Sequence, residues 1–310
     1  MPRVVIVGAG ALGCAYGEKL LEHHGAKDVA FLAEGDRLER LQRARFVVNG
    51  KELGMPVLGP DEWSSGNLQP PELILLSVKY HHLEAARDLM AGVAGEDTQI
   101  LSILNGIDSE EYLAGTFGWD RVLYGMALGI DAVRIGYETT YKGLGRIFLG
   151  EATNEPPSPR VVAANALLAD AGISTVVPED MVQALWFKFM VNVGINQVSA
   201  VLGAPYGHFQ TMEEPRRIMD AAIAEVRELS KAEGHPLTDE DVDRWHEVMA
   251  GLDAQGKTSM LQDVEAQRKT EVEMFAGVVC GLGERHGIPT PTNALLLELL
   301  HYHERMYGAL

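Results

Sequence analysis

Two hydrophobic textures divide the chain. Up to about residue 179, short apolar runs alternate with stretches of helical period; the runs are 4–7, 29–33, 73–78, 99–104, 121–127, 146–149 and 174–177. Val, Ile and Leu fill several of them without alternation, the pattern of strands whose two faces are both covered by helices. Their strand–helix–strand order predicts a parallel, doubly wound sheet, with the Gly-rich strands around 136–150 free to turn antiparallel. From residue 180 the strand pattern stops. Helices are predicted over 180–202, 213–233, 239–249, 259–286 and 292–307, with Pro205, Pro215, Pro236, Pro289 and Pro291 in the connections. The expected architecture is an α/β dinucleotide-type domain over 1–179 followed by an all-helical domain over 180–310, with a ligand cleft between them.

Composition narrows the function classes. At 46% hydrophobic and 23% charged residues the chain is ordinary globular material, and its formal net charge is −18. That charge argues against nucleic acid or an anionic membrane surface as partner. Two cysteines, Cys14 and Cys280, do not make a disulfide framework, and the start, Met1-Pro2-Arg3, leads straight into a strand with no secretory pattern. A reducing cytoplasm is the expected setting. Residues 189–205 carry no charge, but Asn192, Asn196, Gln197 and Ser199 would be costly in lipid, so a buried helix is predicted there.

The first run ends in Gly8-Ala9-Gly10-Ala11-Leu12-Gly13. In a strand–turn–helix setting Gly8 makes the tight turn, Gly10 lets a pyrophosphate approach the backbone, and Gly13 lets helix and strand pack closely. Ala11 and Leu12 open the helix, whose first N–H groups face the phosphates. Glu34, at the end of the second strand and 21 residues after Gly13, is placed to accept from ribose hydroxyls and to repel a 2′-phosphate. It favours NADH. Against it stand Arg37, Arg40, Arg43 and Arg45; Arg37 is best placed to reach a 2′-phosphate, and the other three read as a solvated helix face.

Charge is missing from one place. Among the 32 residues 181–212 the only formally charged one is Lys188, where the average composition would put about seven. At about 100° per residue, Asn192, Asn196 and Ser199 fall on the same side of the helix as Lys188. A buried ammonium must be paired or useful. One reading is a structural lysine paired with a carboxylate. The other is a general acid, with amides orienting a small oxygen-rich substrate, as reduction of a ketone needs. The adjacent pairs His23-His24 and His81-His82 do not make a metal site, no cysteine cluster suggests zinc, and no hydrolase elbow is present. No metal is expected.

Several blocks then fall into a known order. Gly8–Gly13, Ser77-Val78-Lys79, Leu104-Asn105-Gly106-Ile107, Leu185-Trp186-Phe187-Lys188-Phe189-Met190-Val191-Asn192 with Asn196, and Ser259-Met260-Leu261-Gln262-Asp263 with Thr270-Glu271 resemble the ketopantoate reductase family over nearly the whole chain. The resemblance implies a Rossmann domain, a helical domain, and reduction of 2-dehydropantoate to (R)-pantoate on the route to pantothenate and coenzyme A. It implies Lys188 as proton donor and Glu271 as partner of the substrate hydroxyl. Asn192, Asn196 and Ser259 would bind substrate, and Lys79 and Asn105 would lie near the nicotinamide. The residues alone leave rivals: Ser259 as a capping-box residue with Gln262, Glu271 on a solvated helix face, and Asn105-Gly106 as a turn.

Two positions depart from the family pattern. Glu34 replaces the arginine that grips the 2′-phosphate of NADPH, and Tyr206 stands where an asparagine is common. Both point toward an alternative, an NAD-dependent D-2-hydroxyacid dehydrogenase acting on another branched 2-oxo acid. A dinucleotide-binding sensor without chemistry is the competing class. Lys188 speaks against it, because a mere binder has no need to bury a lysine. A homodimer is compatible with everything above.

Overall fold

Val4, Val5 and Ile6 are completely buried and Val7 nearly so, which a strand achieves only when both its faces are covered. The computed structural model describes residues 2–307, and these divide into two compact units between Met181 and Val182.

The first unit runs β1 (Val4–Val7), α1 (Ala11–His24), β2 (Val29–Leu32), α2 (Gly35–Gln42), β3 (Val47–Val48), β4 (Lys51–Glu52), β5 (Val57–Leu58), α3 (Asp61–Ser64), β6 (Leu73–Leu76), α4 (Leu83–Ala91), β7 (Gln99–Ser102), α5 (Ser109–Phe117), β8 (Val122–Ile130), β9 (Val133–Ile135), β10 (Glu138–Thr140), β11 (Leu144–Gly150), α6 (Pro159–Ala169) and β12 (Thr175–Val176). Eight strands form one sheet in the order β12-β11-β8-β7-β6-β1-β2-β5. From β5 across to β8 every pairing is parallel, and the Gly-rich β11 turns antiparallel to β8. Alternate residues of β1 serve opposite cores. Val4 and Ile6 join Tyr16, Leu20 and Leu149 on one side, while Val5 and Val7 join Met90, Leu113 and Phe117 on the other. This is the doubly wound α/β arrangement.

A second sheet, β4-β3-β10-β9, was not visible in the hydrophobic pattern. Two of its strands are only two residues long, too short to show a period, and β3 pairs with β10 about 90 residues away. It is tied to α1 by the Tyr141 hydroxyl, which donates to Glu18 at 2.5 Å.

The second unit holds α7 (Met181–Leu202), α8 (Tyr206–Thr211), α9 (Glu213–Ala232), α10 (Asp239–Ala250), α11 (Ser259–Glu265), α12 (Val278–His286) and α13 (Pro291–Met306), with a π-helical turn at Glu273–Gly277 ahead of α12. α7 is long and apolar enough to cross a membrane by composition alone, yet most of it is buried inside the protein. It is a core helix.

The single helix expected over 259–286 is broken. Glu265 to Lys269 are all exposed, so this stretch has no apolar face to bury. Arg268 folds back, its N–H donating to the Asp263 carbonyl and its Nε to the Asp263 carboxylate, both at 2.8 Å. The π turn also has a cause. Gln197, fully buried on α7, accepts from the Ala276 N–H at 3.0 Å and donates to Asn293 Oδ1 at 3.1 Å. Asn293 donates to Glu225 at 2.7 Å, so a buried polar chain joins α7, the π turn, α13 and α9. A side chain that takes a backbone donor is a common origin of such turns.

One buried group should set a pH dependence of stability. Glu110, in the first turn of α5, is 1% exposed, and no hydrogen bond of ordinary geometry reaches either carboxyl oxygen. Burial pushes its pKa from 4.5 up to about 7; the Ser109 hydroxyl and the backbone N–H groups of Glu110 and Gly125 oppose the shift, and Asp108 adds to it. The native state therefore holds a proton that the unfolded chain releases above its ordinary carboxyl pKa. Stability is full below pH 4.5 and is lost as pH rises toward 7. Glu110→Gln should leave stability at pH 4.5 nearly unchanged and raise it at pH 8 by about 1–3 kcal/mol in urea unfolding. Equal effects at both pH values would contradict this account.

Candidate active site

The sheet order reverses between β1 and β6. From β1 the chain builds outward through β2 and β5, then crosses over to β6, β7 and β8. Ligands of doubly wound sheets gather outside the strand ends at such a reversal. Here those ends are Gly8 and Ser77. Ser77 Oγ donates to the Gly8 carbonyl at 3.0 Å, and a Cβ on Gly8 would stand 2.5 Å from the Ser77 carbonyl oxygen. Gly8 also has φ +115°, which excludes other residues on conformation alone.

The other glycines divide the work. A Cβ on Gly13 would fall 1.9 Å from the Gly8 carbonyl oxygen, so α1 packs onto the turn only because none is there. A Cβ on Gly10 would meet nothing closer than 3.9 Å. The protein therefore does not need a glycine at 10 for its own packing. What a side chain there would occupy is the space in front of the first turn of α1. That turn carries no acidic residue and no side-chain cap at Gly10, and Ala11 and Leu12 begin it half-buried. Its N–H groups and the gap at Gly10 fit the pyrophosphate of a dinucleotide.

Lys79 follows Ser77 at the end of β6 and is exposed; Asn105 follows β7 in a bend whose next residue, Gly106, has φ +90°. The turn reading of Asn105-Gly106 thus holds without removing Asn105 from the strand-end edge. Tyr80 and Asp108 join these two loops through a short hydrogen bond from the Tyr80 hydroxyl to the Asp108 carboxylate. No local pattern could have linked residues 28 apart. Glu34 and Arg37 lie at the start of α2, both exposed, with Glu34 as its N-cap.

In the second unit α7 carries Lys188, 8% exposed, Asn196, 7% exposed, and Asn192, half-buried. Ser199 is fully buried and differs from the expected polar stripe. Its hydroxyl donates to the Ala204 carbonyl at 2.6 Å and accepts from Thr258 Oγ1 at 3.2 Å, so it closes the end of the helix. The capping reading of Ser259 shifts by one residue: Thr258 is the N-cap of α11, accepting from the Leu261 N–H at 3.1 Å, and Ser259 is exposed at the first helical position. Glu271 lies in the loop before the π turn and not on a helix. Its neighbour Thr270 is anchored twice by Glu304 Oε1, through its N–H at 2.7 Å and its hydroxyl at 2.5 Å. Tyr206 begins α8, and its ring packs on Gly256, where a Cβ would come within 2.8 Å.

Comparison with known proteins agrees with this geometry. The family profile described as "Ketopantoate reductase PanE/ApbA" matches residues 4–154, and "Ketopantoate reductase PanE/ApbA C terminal" matches residues 180–304. The chain belongs to the ketopantoate reductase family. It is thereby an NAD(P)H-dependent 2-oxo acid reductase, an oxidoreductase acting on CH–OH. A 2-dehydropantoate 2-reductase of Archaeoglobus fulgidus is 29% identical over 301 residues, 96% of each chain. The structure of 2-dehydropantoate 2-reductase from Geobacter metallireducens matches at TM-score 0.81 and 29% identity, over 97% of this chain and 99% of its own. D-mandelate dehydrogenase with NADH and anilino(oxo)acetate matches at TM-score 0.85 over 98% of this chain and 99% of its own. At 20% identity that last likeness is one of fold.

The two glycines predict opposite outcomes. Gly10→Ala should fold as the parent does and bind dinucleotide at least ten-fold more weakly, because its methyl group enters the phosphate space. Gly13→Ala should fail by unfolding, with a thermal midpoint several degrees lower. Calorimetric binding and thermal melts separate the two. A Gly10→Ala protein with unchanged affinity would remove that loop from the cofactor site.

Proposed function

We propose that this chain reduces 2-dehydropantoate to (R)-pantoate in pantothenate and coenzyme A biosynthesis, with Lys188 as the proton donor. The observation that carries the reading is the burial of a single ammonium on a helix otherwise free of charge, with Asn192 and Asn196 beside it. A ketone accepting hydride at carbon develops negative charge on oxygen, and a positioned ammonium gives that oxygen its proton. The supply side is one step: when bound, a reduced nicotinamide delivers hydride from C4 to the carbonyl carbon.

The remaining roles belong to the chain's own residues. The turn Gly8–Gly13 and the first N–H groups of α1 hold the dinucleotide through residues 1–179, and Lys79 and Asn105 flank its nicotinamide end. Asn192, Asn196 and Ser259 orient the substrate carboxylate and carbonyl through residues 180–310. Glu271 accepts from the substrate hydroxyl, and the double anchor of Thr270 on Glu304 keeps its loop in place. Glu34 by itself draws the adenosine site toward NADH. The two cysteines are free, which suits a cytoplasmic setting, and a homodimer is compatible with the family.

Tyr206 favours a second reading. An asparagine at this place would offer an amide to the substrate; the tyrosine ring instead fills the space against Gly256, three residues before Ser259. That change suits a D-2-hydroxyacid dehydrogenase taking a 2-oxo acid with a different branch.

Lys188→Ala should lower kcat by about 10²- to 10⁴-fold, the usual worth of a general acid. Binding of ADP-ribose should stay within two-fold, since Lys188 does not hold the nucleotide. Steady-state kinetics with 2-dehydropantoate and calorimetry with ADP-ribose check both. Retained turnover would take Lys188 out of the mechanism.

A further inference from the structure

Lys79 and Asn105 stand equally far beyond the sheet. The pairing of β6 with β7 ends with Leu76 opposite Ser102, and each of the two residues lies three positions past that pair. Past the strands the chain takes two different courses. The first segment enters a 3₁₀ turn, Tyr80–His82, ahead of α4, and the second bends through Gly106, at φ +90°, into α5. A ladder of backbone hydrogen bonds fixes the spacing of paired strands, and beyond its end other contacts have to do so.

Tyr80 and Asp108 supply such a contact. The Tyr80 ring is half-buried against the core that holds Leu76, Leu83 and Leu104, and its hydroxyl donates to Asp108 Oδ2 in a short hydrogen bond. Asp108 is also the N-cap of α5, the position from which an aspartate ordinarily accepts from N–H groups of the first turn, yet its carboxylate makes no such cap. No hydrogen bond of ordinary geometry reaches its other oxygen, Oδ1, which is buried. Burial raises the Asp108 pKa, and the bond from Tyr80 is first among the influences that oppose the rise. For α5 alone this is a poor arrangement. What it secures is a fixed span between two loops 28 residues apart in the chain.

We propose that Tyr80 and Asp108 are positioning residues for hydride transfer: their hydrogen bond sets the spacing of Lys79 and Asn105, and through these two the seat of the nicotinamide ring. The inference rests on the proposed function, in which Lys79 and Asn105 flank that ring. Tyr80 and Asp108 act through the two loops and not on the reactants. Rates respond steeply to such spacing, since a misplacement of about 1 Å costs on the order of 10²-fold.

Tyr80→Phe removes the hydroxyl and keeps the ring in its core. Calorimetry on the full chain compares ADP-ribose, which lacks the nicotinamide, with NADH and NADPH. Tyr80→Phe should bind ADP-ribose within about two-fold of the parent, which also certifies that it is folded, and the dinucleotide the parent prefers about three- to ten-fold more weakly. With 2-dehydropantoate its kcat should fall about 10- to 100-fold while KM stays within about three-fold. The isotope effect from deuterium at the transferred C4 position should rise, because hydride transfer becomes rate-limiting. Asp108→Ala should behave alike, Asp108→Asn should retain most of kcat because it keeps an acceptor for Tyr80, and the double variant Tyr80→Phe/Asp108→Ala should lose no more than either single one. Unchanged kcat in Tyr80→Phe, losses that multiply in the double variant, or equal weakening of ADP-ribose and dinucleotide would overturn the positioning role and leave the proposed function intact. A parent chain that binds dinucleotide but turns over neither 2-dehydropantoate nor another branched 2-oxo acid would overturn the proposed function and this role with it.

Discussion

Removing an ammonium from water is costly unless something in the protein repays it, and Lys188 is the one lysine buried among the described residues. Lys188 is 8% exposed on a 22-residue helix with no other formal charge. To keep that helix buried, the surrounding polar groups have to be satisfied among themselves. Gln197 answers both the π-turn backbone and Asn293, Ser199 closes the helix end on Ala204, and Thr258 caps α11 while touching Ser199. Lys188, Asn192 and Asn196 lie along the same helix, and it is these groups that the proposed function assigns to the substrate. A fully satisfied buried network holds such groups in place more firmly than a fluid apolar core would.

The first unit is governed by the opposite constraint, closeness instead of isolation. Gly8 and Gly13 are required because backbone atoms approach within distances no side chain permits, whereas Gly10 is required by nothing in the protein. A glycine without a packing reason, at the mouth of a sheet reversal, points to a ligand. Glu110 is a costly group of a different kind. It sits in the first turn of α5, and its raised pKa follows first from burial.

Most of the fold was legible in the sequence because it is written in apolar runs. Unalternated Val, Ile and Leu mark β1, β2, β6 and β7, and the loss of that pattern at residue 180 marks the helical half. Features set by single long-range contacts were not legible. The second sheet depends on pairings between two-residue strands, and the break in 259–286 depends on Arg268 turning back on Asp263. The site shows the same division. Lys188 and the glycines stand out by charge pattern and spacing, while Thr258 took the cap expected of its neighbour Ser259, and Glu271 came to lie in a loop.

The central claim is that the Lys188 ammonium delivers the proton, and chemical rescue measures this most directly. Lys188→Ala, assayed with 2-dehydropantoate and reduced cofactor, should regain activity when small primary amines such as methylamine are added. The rescued rate should follow the concentration of the protonated amine. A variant with strongly reduced turnover that no amine restores at any pH, alongside unchanged nucleotide binding, would contradict the claim and leave Lys188 a structural residue.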